Sequence, residues 1–251
     1  MKSYFVTLLC FLGCIFTCNA QVKHYKAHIV NSFPHDVHSY TQGLFFEADT
    51  LYESAGLYGS SSFRKVDLNT GDALVKIPFK KKYFVEGSVM LDGNLYVLTW
   101  TNKVIFVYDA ATLEYKSTYS YPREGWGLTT DGRRLISSDG TSKLYFLSPD
   151  LKLERMLNVT LNGKAVRLLN ELEWIDGRIW ANVYTSDLIV IINPETGRVE
   201  SIVDCEGLLP DSLRTSDTDV LNGIAVNSKG EIYVTGKNWP KLYQISLVEE
   251  K

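Results

Sequence analysis

The sequence repeats a short signature five times, and this repeat constrains the fold more strongly than any other feature. Each unit opens with a polar or aromatic residue followed by a small or acidic one, and successive units start 44, 40, 44 and 52 residues apart. The opening pairs are Gln42-Gly43, Glu86-Gly87, Trp126-Gly127, Asn170-Glu171 and Asn222-Gly223. A period of this length is typical of architectures that stack one supersecondary unit repeatedly.

Every unit continues with a tight turn and an apolar strand. The strand begins eight or nine residues after the opening pair, at Leu51, Leu95, Leu135, Ile179 and Ile232. Four of these strands follow a turn that suits a two-residue hairpin. These turns are Asp92-Gly93, Asp131-Gly132, Asp176-Gly177 and Lys229-Gly230. Four short antiparallel strands in about 45 residues predict one blade of a β-propeller.

The sequence therefore predicts an all-β fold, a five-bladed β-propeller formed by residues 21–251 as a single domain. No long amphipathic helix is expected, only short turns near residues 209–213. A right-handed β-helix would need much shorter repeats, and a two-sheet sandwich would not keep so regular a register. We expect the strand near residues 28–32 to join the last blade and close the ring, which removes exposed sheet edges.

Residues 1–20 have the pattern of a secretory signal peptide. A positive start precedes an apolar run of about fifteen residues, which is shorter than the ~20 that a membrane-spanning helix needs. A cut before Gln21 would release a periplasmic or secreted chain. Leu12-Gly13-Cys14 weakly resembles a lipoprotein processing site, so a lipid anchor on Cys14 stays open. No other segment is expected to span a membrane.

Charge and cysteine content narrow the chemistry further. The 26 basic residues against 29 acidic ones give a net charge of −3, which lacks the basic footprint of a nucleic-acid-binding protein. Three of the four cysteines fall within residues 1–20, so Cys205 is expected to be a buried side chain without a disulfide partner. The four histidines lie between residues 24 and 38 on a predicted strand, which does not favour a metal site.

Equivalent positions of the blades predict a pocket on the propeller axis. Because a blade begins with its innermost strand, the opening residues form one ring: Gln42, Glu86, Trp126, Asn170 and Asn222. A second ring lies five residues after each strand start, at Gly56, Trp100, Gly140, Tyr184 and Lys237. We expect glycine gaps, aromatic walls and one cation, which together describe a concave binding site. For the amide side chains of the first ring, contact with channel water or turns is an equal alternative to substrate contact.

Glu86 is the most informative member of these rings, because it is the one carboxylate in the first ring and tryptophans are expected nearby. Removal from water would raise the pKa of this carboxyl, as a proton-transfer group requires. Lys237 nearby would oppose that shift. The balance of the two effects does not follow from the sequence.

Several longer motifs occur in a fixed order along the chain. They include Thr41-Gln42-Gly43-Leu44, Gly56-Leu57-Tyr58-Gly59, Leu98-Thr99-Trp100, Glu124-Gly125-Trp126-Gly127-Leu128, Leu169-Asn170-Glu171-Leu172-Glu173, Leu221-Asn222-Gly223-Ile224-Ala225 and Thr235-Gly236-Lys237. In this order they resemble the glutamine cyclotransferases of the plant and bacterial type. The resemblance extends from about residue 26 to residue 247.

The resemblance implies a five-bladed propeller that converts N-terminal glutaminyl residues of peptides or proteins to pyroglutamyl and releases ammonia. It implies an acyltransferase without a metal or other cofactor, although a structural cation in the channel stays open. By the same resemblance Glu86 is the catalytic acid. The residues implied to line the pocket are Gln42, Trp100, Trp126, Asn170 and Lys237.

Three positions depart from the family pattern. Val37 stands where proline is usual, Tyr40 where phenylalanine is common, and Tyr184 where a tryptophan typically forms a wall of the site. The tyrosine at 184 keeps an aromatic face and adds a hydroxyl. We therefore expect substrate preference to change more than activity.

The reaction suggests a division of labour among these residues. Glu86 would accept a proton from the attacking α-amine and deliver it to the departing ammonia, a transfer that typically contributes ~10²–10⁴-fold. The aromatic residues Trp100, Trp126 and Tyr184 would enclose the glutamine side chain and exclude water. The residues expected to bind the amide or its developing oxyanion are Gln42, Asn170 and Lys237.

Two alternatives belong to other functional classes. One is a non-catalytic propeller that binds a peptide or carbohydrate in its channel. The other is a metal-dependent lactonase of a larger propeller type, which would need several converging ligands where the first ring offers one carboxylate. Whatever the function, a single propeller with closed sheet edges makes a monomer the simplest expectation.

Overall fold

A computed structural model of the protein describes residues 21–250, and the predicted signal peptide at residues 1–20 lies outside the described residues, as does residue 251. The chain begins with strand β1 (Lys23–Pro34). Blade A then contains β2 (Thr41–Glu47), β3 (Thr50–Ala55), β4 (Ser62–Val66) and β5 (Ala73–Pro78). Blade B contains β6 (Val85–Leu91), β7 (Asn94–Thr99), β8 (Val104–Asp109) and β9 (Tyr115–Ser120).

The second half of the chain follows the same plan. Blade C contains β10 (Leu128–Thr130), β11 (Leu135–Ser138), β12 (Lys143–Leu147) and β13 (Leu153–Asn158), and a small hairpin of β14 (Thr160–Leu161) and β15 (Lys164–Ala165) follows it. Blade D contains β16 (Leu169–Ile175), β17 (Arg178–Val183), β18 (Leu188–Ile192) and β19 (Val199–Asp204). Blade E contains β20 (Leu221–Val226), β21 (Ile232–Gly236), β22 (Lys241–Glu249) and β1.

The prediction of an all-β propeller is confirmed, and within residues 21–250 the four-stranded units follow one another as blades A to E. The one helical element of these residues is a 3₁₀ turn at Asp211–Leu213, where short turns were expected. No helix among the described residues is both long enough and apolar enough to cross a membrane.

The predicted hairpin turns join the first two strands of their blades. At Asp92-Gly93 both residues have positive φ, 49° and 71°, as a type I′ turn requires. Blade A has no glycine at this place, yet Ala48 and Asp49 adopt the same conformation, with φ of 46° and 58°. The Asp49 carboxylate accepts hydrogen bonds from the backbone N–H and the hydroxyl of Ser228 in blade E, which stabilises the turn from outside its own blade.

The first strand of each blade lies on the axis, where adjacent backbones approach closely. A Cβ on Gly87 would lie 2.7 Å from the carbonyl oxygen of Trp126, and one on Gly127 would lie 2.9 Å from the Cα of Glu171. Any larger residue would therefore force the inner strands apart. This close approach explains the glycines at positions 87 and 127, whereas the fourth unit has Glu171 at the equivalent place.

The hydrophobic core lies between the blades rather than within them. Each buried apolar cluster of the described residues combines residues from two neighbouring blades. Cys205 belongs to the cluster between blades D and E, where it is buried as expected, and it has no disulfide partner among residues 21–250. Burial raises the pKa of its thiol to about 12, so this cysteine packs as an apolar side chain.

The two ends of the chain meet in blade E. Strand β1 pairs antiparallel with β22 over nearly its full length, and its first residues also pair in parallel with β19 of blade D. The expected closure of the ring by the N-terminal strand is confirmed. Blades D and E consequently share one continuous eight-stranded sheet.

Candidate active site

A cavity of about 190 Å³ opens at one end of the central channel. Its lining contains Glu86 and all six side chains expected to bind the substrate, together with two additional aromatic residues, but it does not contain Asn222 of the first ring. The lining residues are Tyr40, Gln42, Phe84, Glu86, Trp100, Trp126, Asn170, Tyr184 and Lys237. The repeat register thus brings residues from all along the chain to one place.

Local backbone irregularities aim the first-ring side chains into this cavity. The pairing of β2, β6, β16 and β20 with the second strand of their blade shifts register at the start of each inner strand. Gln42, Glu86 and Asn170 lie at three of these shifts. A β-bulge bends the strand and redirects a side chain, which explains why these residues face the axis.

Hydroxyl groups from neighbouring blades hold the ring residues in place. Ser54 of blade A donates a hydrogen bond to the backbone carbonyl of Glu86 in blade B, at 2.7 Å. Ser138 of blade C does the same for Asn170 in blade D, also at 2.7 Å. The positions of Glu86 and Asn170 are therefore each set by two blades at once.

The Glu86 carboxyl is buried and poorly supplied with hydrogen bonds. Its side-chain partner among the described residues is the Gln42 Nε2 group, which donates to Oε1 at 3.2 Å. Asn222 in turn donates to the Gln42 Oε1 at 3.3 Å and fixes the orientation of that amide. Burial raises the pKa of Glu86 well above its usual range; the charge of Lys237 opposes this shift and that of Glu124 adds to it.

Lys237 supplies the cation that the second ring predicted. Its Nζ lies 4.7 Å from the ring centroid of Tyr40 and 4.8 Å from that of Tyr184, so two aromatic faces stabilise the ammonium. Burial lowers the pKa of Lys237, while the charges of Glu86 and Asp219 oppose that shift. Asp219 also accepts a hydrogen bond of 2.6 Å from the Tyr40 hydroxyl.

Aromatic rings enclose the remaining sides of the cavity. Phe84 meets Trp100 edge to face at 5.5 Å between centroids, and Trp126 meets Tyr184 in the same way at 5.6 Å. Both indole N–H groups donate to one oxygen of Glu124, Trp100 at 2.8 Å and Trp126 at 3.4 Å. The walls are therefore ordered by packing and by one shared carboxylate oxygen.

The two glycines of the second ring do not leave gaps, and this expectation is wrong. A Cβ on Gly56 would collide with the ring of Phe84, and one on Gly140 would lie 2.6 Å from the indole of Trp126. Gly140 also has a φ of 74°, which disfavours other residues. Each glycine accommodates an aromatic side chain that borders the cavity.

The amide side chains of the first ring have different surroundings. Asn222 does not line the cavity; it donates to the Thr41 carbonyl and to Gln42. Asn170 does line it, and its buried Oδ1 has no hydrogen-bond partner among the described residues. An unpaired buried acceptor is costly in free energy, so the Asn170 oxygen is suited to receive an N–H group from a ligand.

A family model described as glutamine cyclotransferase matches residues 6–247. The chain belongs to this family. It is 44% identical over 228 residues to a glutaminyl-peptide cyclotransferase from Arabidopsis thaliana, an alignment that covers 88% of this chain and 71% of the relative. The resemblance noted from the motifs is confirmed, and these matches do not favour a non-catalytic propeller.

Solved structures agree with this membership. The fold superposes on the crystal structure of the Myxococcus xanthus glutaminyl cyclase with a TM-score of 0.85 at 32% identity, covering 92% of this chain and all of the other. The WD40 propeller domain of Doa1 matches with a TM-score of 0.50 at 11% identity, over 81% of this chain and 62% of the other, which reflects the fold alone.

Three residues of the site were not among the side chains that the sequence analysis assigned to the pocket. Tyr40 and Phe84 line the cavity, and Glu124 holds two of its walls. Tyr40 and Phe84 each lie two residues before a first-ring residue, at Gln42 and at Glu86. That shared offset was the available signal for the two rings. Glu124 lies in a loop outside the repeat register and carried no such signal.

Within residues 21–250, no group of three or more histidine, cysteine, aspartate or glutamate side chains could hold a metal ion.

Proposed function

We propose that the protein is a glutaminyl-peptide cyclotransferase, which converts an N-terminal glutaminyl residue of a peptide or protein to pyroglutamyl and releases ammonia. The observation that carries this proposal is the Glu86 carboxyl, which borders an aromatic cavity. This carboxyl is buried, has a raised pKa and makes one side-chain hydrogen bond. The names of the Arabidopsis and Myxococcus relatives support the same reaction.

Substrate binding begins with the glutamine side chain between the aromatic walls. Trp100, Trp126 and Tyr184 enclose it and hold the folded rotamer that brings the α-amine onto the δ-carbonyl. The unpaired Oδ1 of Asn170 accepts an N–H from the α-amine or from the amide. The rest of the bound peptide extends out of the cavity into solvent.

Glu86 then moves one proton. The neutral α-amine forms the C–N bond, its nitrogen gives a proton to the Glu86 carboxylate, and the amide nitrogen receives this proton and leaves as ammonia. A raised pKa makes the Glu86 carboxylate a stronger base, as a group that accepts a proton from the attacking amine requires.

Negative charge develops on the δ-oxygen during this attack. Lys237 and the second N–H of the Gln42 amide stabilise this oxygen, because both groups border the cavity beside Glu86. Lys237 has no carboxylate partner within ion-pair distance among the described residues, so its ammonium is available to the reacting oxygen.

Mass spectrometry of a Gln-initiated peptide tests the function directly. We expect loss of one ammonia per peptide on incubation with the purified protein, and no change in a matched peptide that begins with Asn. The same reaction in a chelator tests the metal-independent step, and full activity is expected there. Absence of ammonia release from every Gln-initiated peptide would overturn the proposal.

Export and oligomeric state complete the proposal. We propose that residues 1–20 direct the chain out of the cytoplasm and that the mature enzyme acts as a monomer in the periplasm or outside the cell. N-terminal sequencing of the exported protein distinguishes a cut before Gln21 from a lipidated Cys14. Light scattering tests the monomer, and a stable dimer would contradict it.

A further inference from the structure

Glu124 lies in a loop between two blades. It does not line the cavity, but its carboxylate accepts hydrogen bonds from two tryptophans that do. Its loop connects β9 of blade B with β10 of blade C. The backbone N–H of Gly125 bonds to the Thr99 carbonyl at the end of β7, and that of Trp126 bonds to the Ser138 carbonyl of blade C. The loop that carries Glu124 is thereby fixed to both neighbours.

One oxygen of this carboxylate receives both indole N–H groups. Trp100 belongs to blade B and Trp126 to blade C, and Oε2 of Glu124 lies 2.8 Å and 3.4 Å from their Nε1 atoms. Neither indole nitrogen has another partner among the described residues. The orientation of both walls consequently depends on one side chain.

A buried tryptophan elsewhere in the fold provides a contrast. The Nε1 of Trp239, which is almost fully buried, donates to the backbone carbonyl of Asp219 at 2.9 Å. A main-chain carbonyl suffices to satisfy an indole. The Glu124 carboxylate differs from the carbonyl that accepts from Trp239, because it also places a negative charge at the cavity wall.

This charge is not neutralised by a neighbouring side chain. No cation of the described residues lies within ion-pair distance of Glu124, and the adjacent Arg123 guanidinium lies 4.0 Å from the ring centroid of Tyr145 instead. The titratable groups that face Glu86 are Lys237, Glu124, Tyr40 and Tyr184. Among them, Glu124 is the one whose negative charge acts against ionisation of Glu86.

We propose that Glu124 is a positioning residue that sets the orientation of both tryptophan walls and places a negative charge beside the reacting groups. This inference rests on the proposed function for its kinetic consequences. Its structural part, the shared hold on two indoles, stands independently.

Two variants separate the hydrogen bond from the charge. Glu124→Ala removes both, and we expect KM for a Gln-initiated peptide to rise by about tenfold, since hydrogen bonds to a charged acceptor are lost. Glu124→Gln keeps an oxygen acceptor, so KM should return most of the way to the parental value. The edge contacts of the two indoles with Phe84 and Tyr184 preserve the fold in both variants.

The pH profile reports the charge. Loss of the negative charge in Glu124→Gln lowers the pKa of Glu86, so the acidic limb of the kcat/KM profile should move to lower pH. Glu154→Gln is the matched control, because Glu154 is exposed on β13 of blade C and makes no ion pair among the described residues. This control should keep the parental KM and profile.

Near-ultraviolet circular dichroism of the free proteins supplies a readout that does not need activity. A changed tryptophan signal in Glu124→Ala with recovery in Glu124→Gln supports the positioning role, even if the parental protein proves inactive and the proposed function fails. Parental spectra together with a parental KM in Glu124→Ala would overturn the inference. An equal loss of activity in both variants with unshifted pH profiles would also overturn it, because it indicates a merely structural role.

Discussion

Glu53 and Glu86 lie on neighbouring blades, and both carboxyl groups are removed from water, but their surroundings differ completely. The Glu53 carboxylate is saturated with partners from three parts of the chain. They are His35 Nε2 at 3.1 Å, Thr41 Oγ1 at 2.6 Å, the Ser39 hydroxyl and the Arg64 guanidinium. Glu86 has one hydrogen bond of 3.2 Å to a side-chain amide.

The pKa values of the two groups move in opposite directions for this reason. Burial acts to raise the pKa of Glu53, but the charges of Arg64 and His35 outweigh it and hold that pKa well below its usual range. Burial dominates at Glu86, where Lys237 opposes it only in part. Burial alone therefore does not mark a reactive carboxyl; a shortage of compensating partners does.

Glu171 and Glu173 of blade D form a third case. Glu171 accepts backbone N–H groups of Leu44 in blade A and Ile224 in blade E, and Glu173 accepts that of Val226. Burial raises the pKa of Glu173 to about 8. These two carboxyls connect the inner strands of different blades, and neither lines the cavity that Glu86 borders.

The comparison predicts its largest effect for Glu86→Gln. Removal of the proton acceptor should lower kcat by ~10²–10⁴-fold, while the thermal midpoint should not fall, because the carboxyl makes few stabilising contacts. Ammonia release and thermal unfolding measure the two quantities. Glu171→Gln is the matched change in the same channel and should retain kcat. Parental turnover in Glu86→Gln would assign the proton transfer to another group.

Glu53→Ala should have the opposite effect to Glu86→Gln, with a loss of stability and little change in kcat. Loss of Glu53 leaves the buried Arg64 with Asp36 as its remaining carboxylate partner, removes the acceptor shared by His35, Ser39 and Thr41, and should lower the free energy of unfolding by about 3–5 kcal/mol. Because Glu53 does not border the cavity, kcat of the folded fraction should stay close to parental. Urea unfolding and turnover at low temperature check both statements, and Glu47→Ala on the exposed end of β2 is the control. A stable Glu53→Ala protein with low kcat would reverse the two assignments.

The third prediction concerns Glu173 and the pH dependence of the free energy of unfolding. The raised pKa of Glu173 means that the folded state binds this proton more tightly than the unfolded state does. Its contribution is complete below about pH 4.5 and is lost as pH rises through about 8, by at most ~1.4 kcal/mol per pH unit. Urea unfolding across this range should give a shallower slope in Glu173→Gln than in the parent. Identical slopes would contradict the assignment.

Lys237→Met tests whether the lysine charge partly offsets the effect of burial on the pKa of Glu86. The expected effect, a shift of the pH profile, is the smallest of these predictions. Without the cation the pKa of Glu86 rises further, so the acidic limb of the kcat/KM profile should move up by ~1 pH unit. Lys229→Met, in an exposed turn, should leave the limb in place. A downward shift in Lys237→Met would show that the lysine does not stabilise the ionised carboxyl.

The repeat register made most of the pocket predictable. A fixed period sets which residues occupy equivalent places on the axis, so Gln42, Glu86 and Asn170 could be assigned to one ring without knowledge of any contact. The second ring followed in the same way for Trp100 and Tyr184. Periodicity is a local property, and this part of the site depends on it alone.

Features that depend on contacts between distant segments could not be predicted in the same way. The Gly56 and Gly140 positions were expected to be open, but the side chains that fill them come from other parts of the chain. Glu124 lies in a connecting loop with no fixed place in the period. The network around Glu53 joins residues 35, 39, 41 and 64, a grouping that arises from the pairing of strands in blade A and that no repeat in the sequence marks.

The pairing of β1 with β22 has a consequence for the order of events during synthesis. The partner of Phe33 is Leu242, and that of Tyr25 is Glu249, so these contacts span more than 200 residues of chain. A nascent polypeptide that has left the ribosome only as far as blade D cannot complete the toroid, because the last antiparallel neighbour of its first strand does not yet exist. Contacts of such long sequence separation slow folding, and a chain truncated before residue 241 would expose the strand edge that the complete molecule conceals.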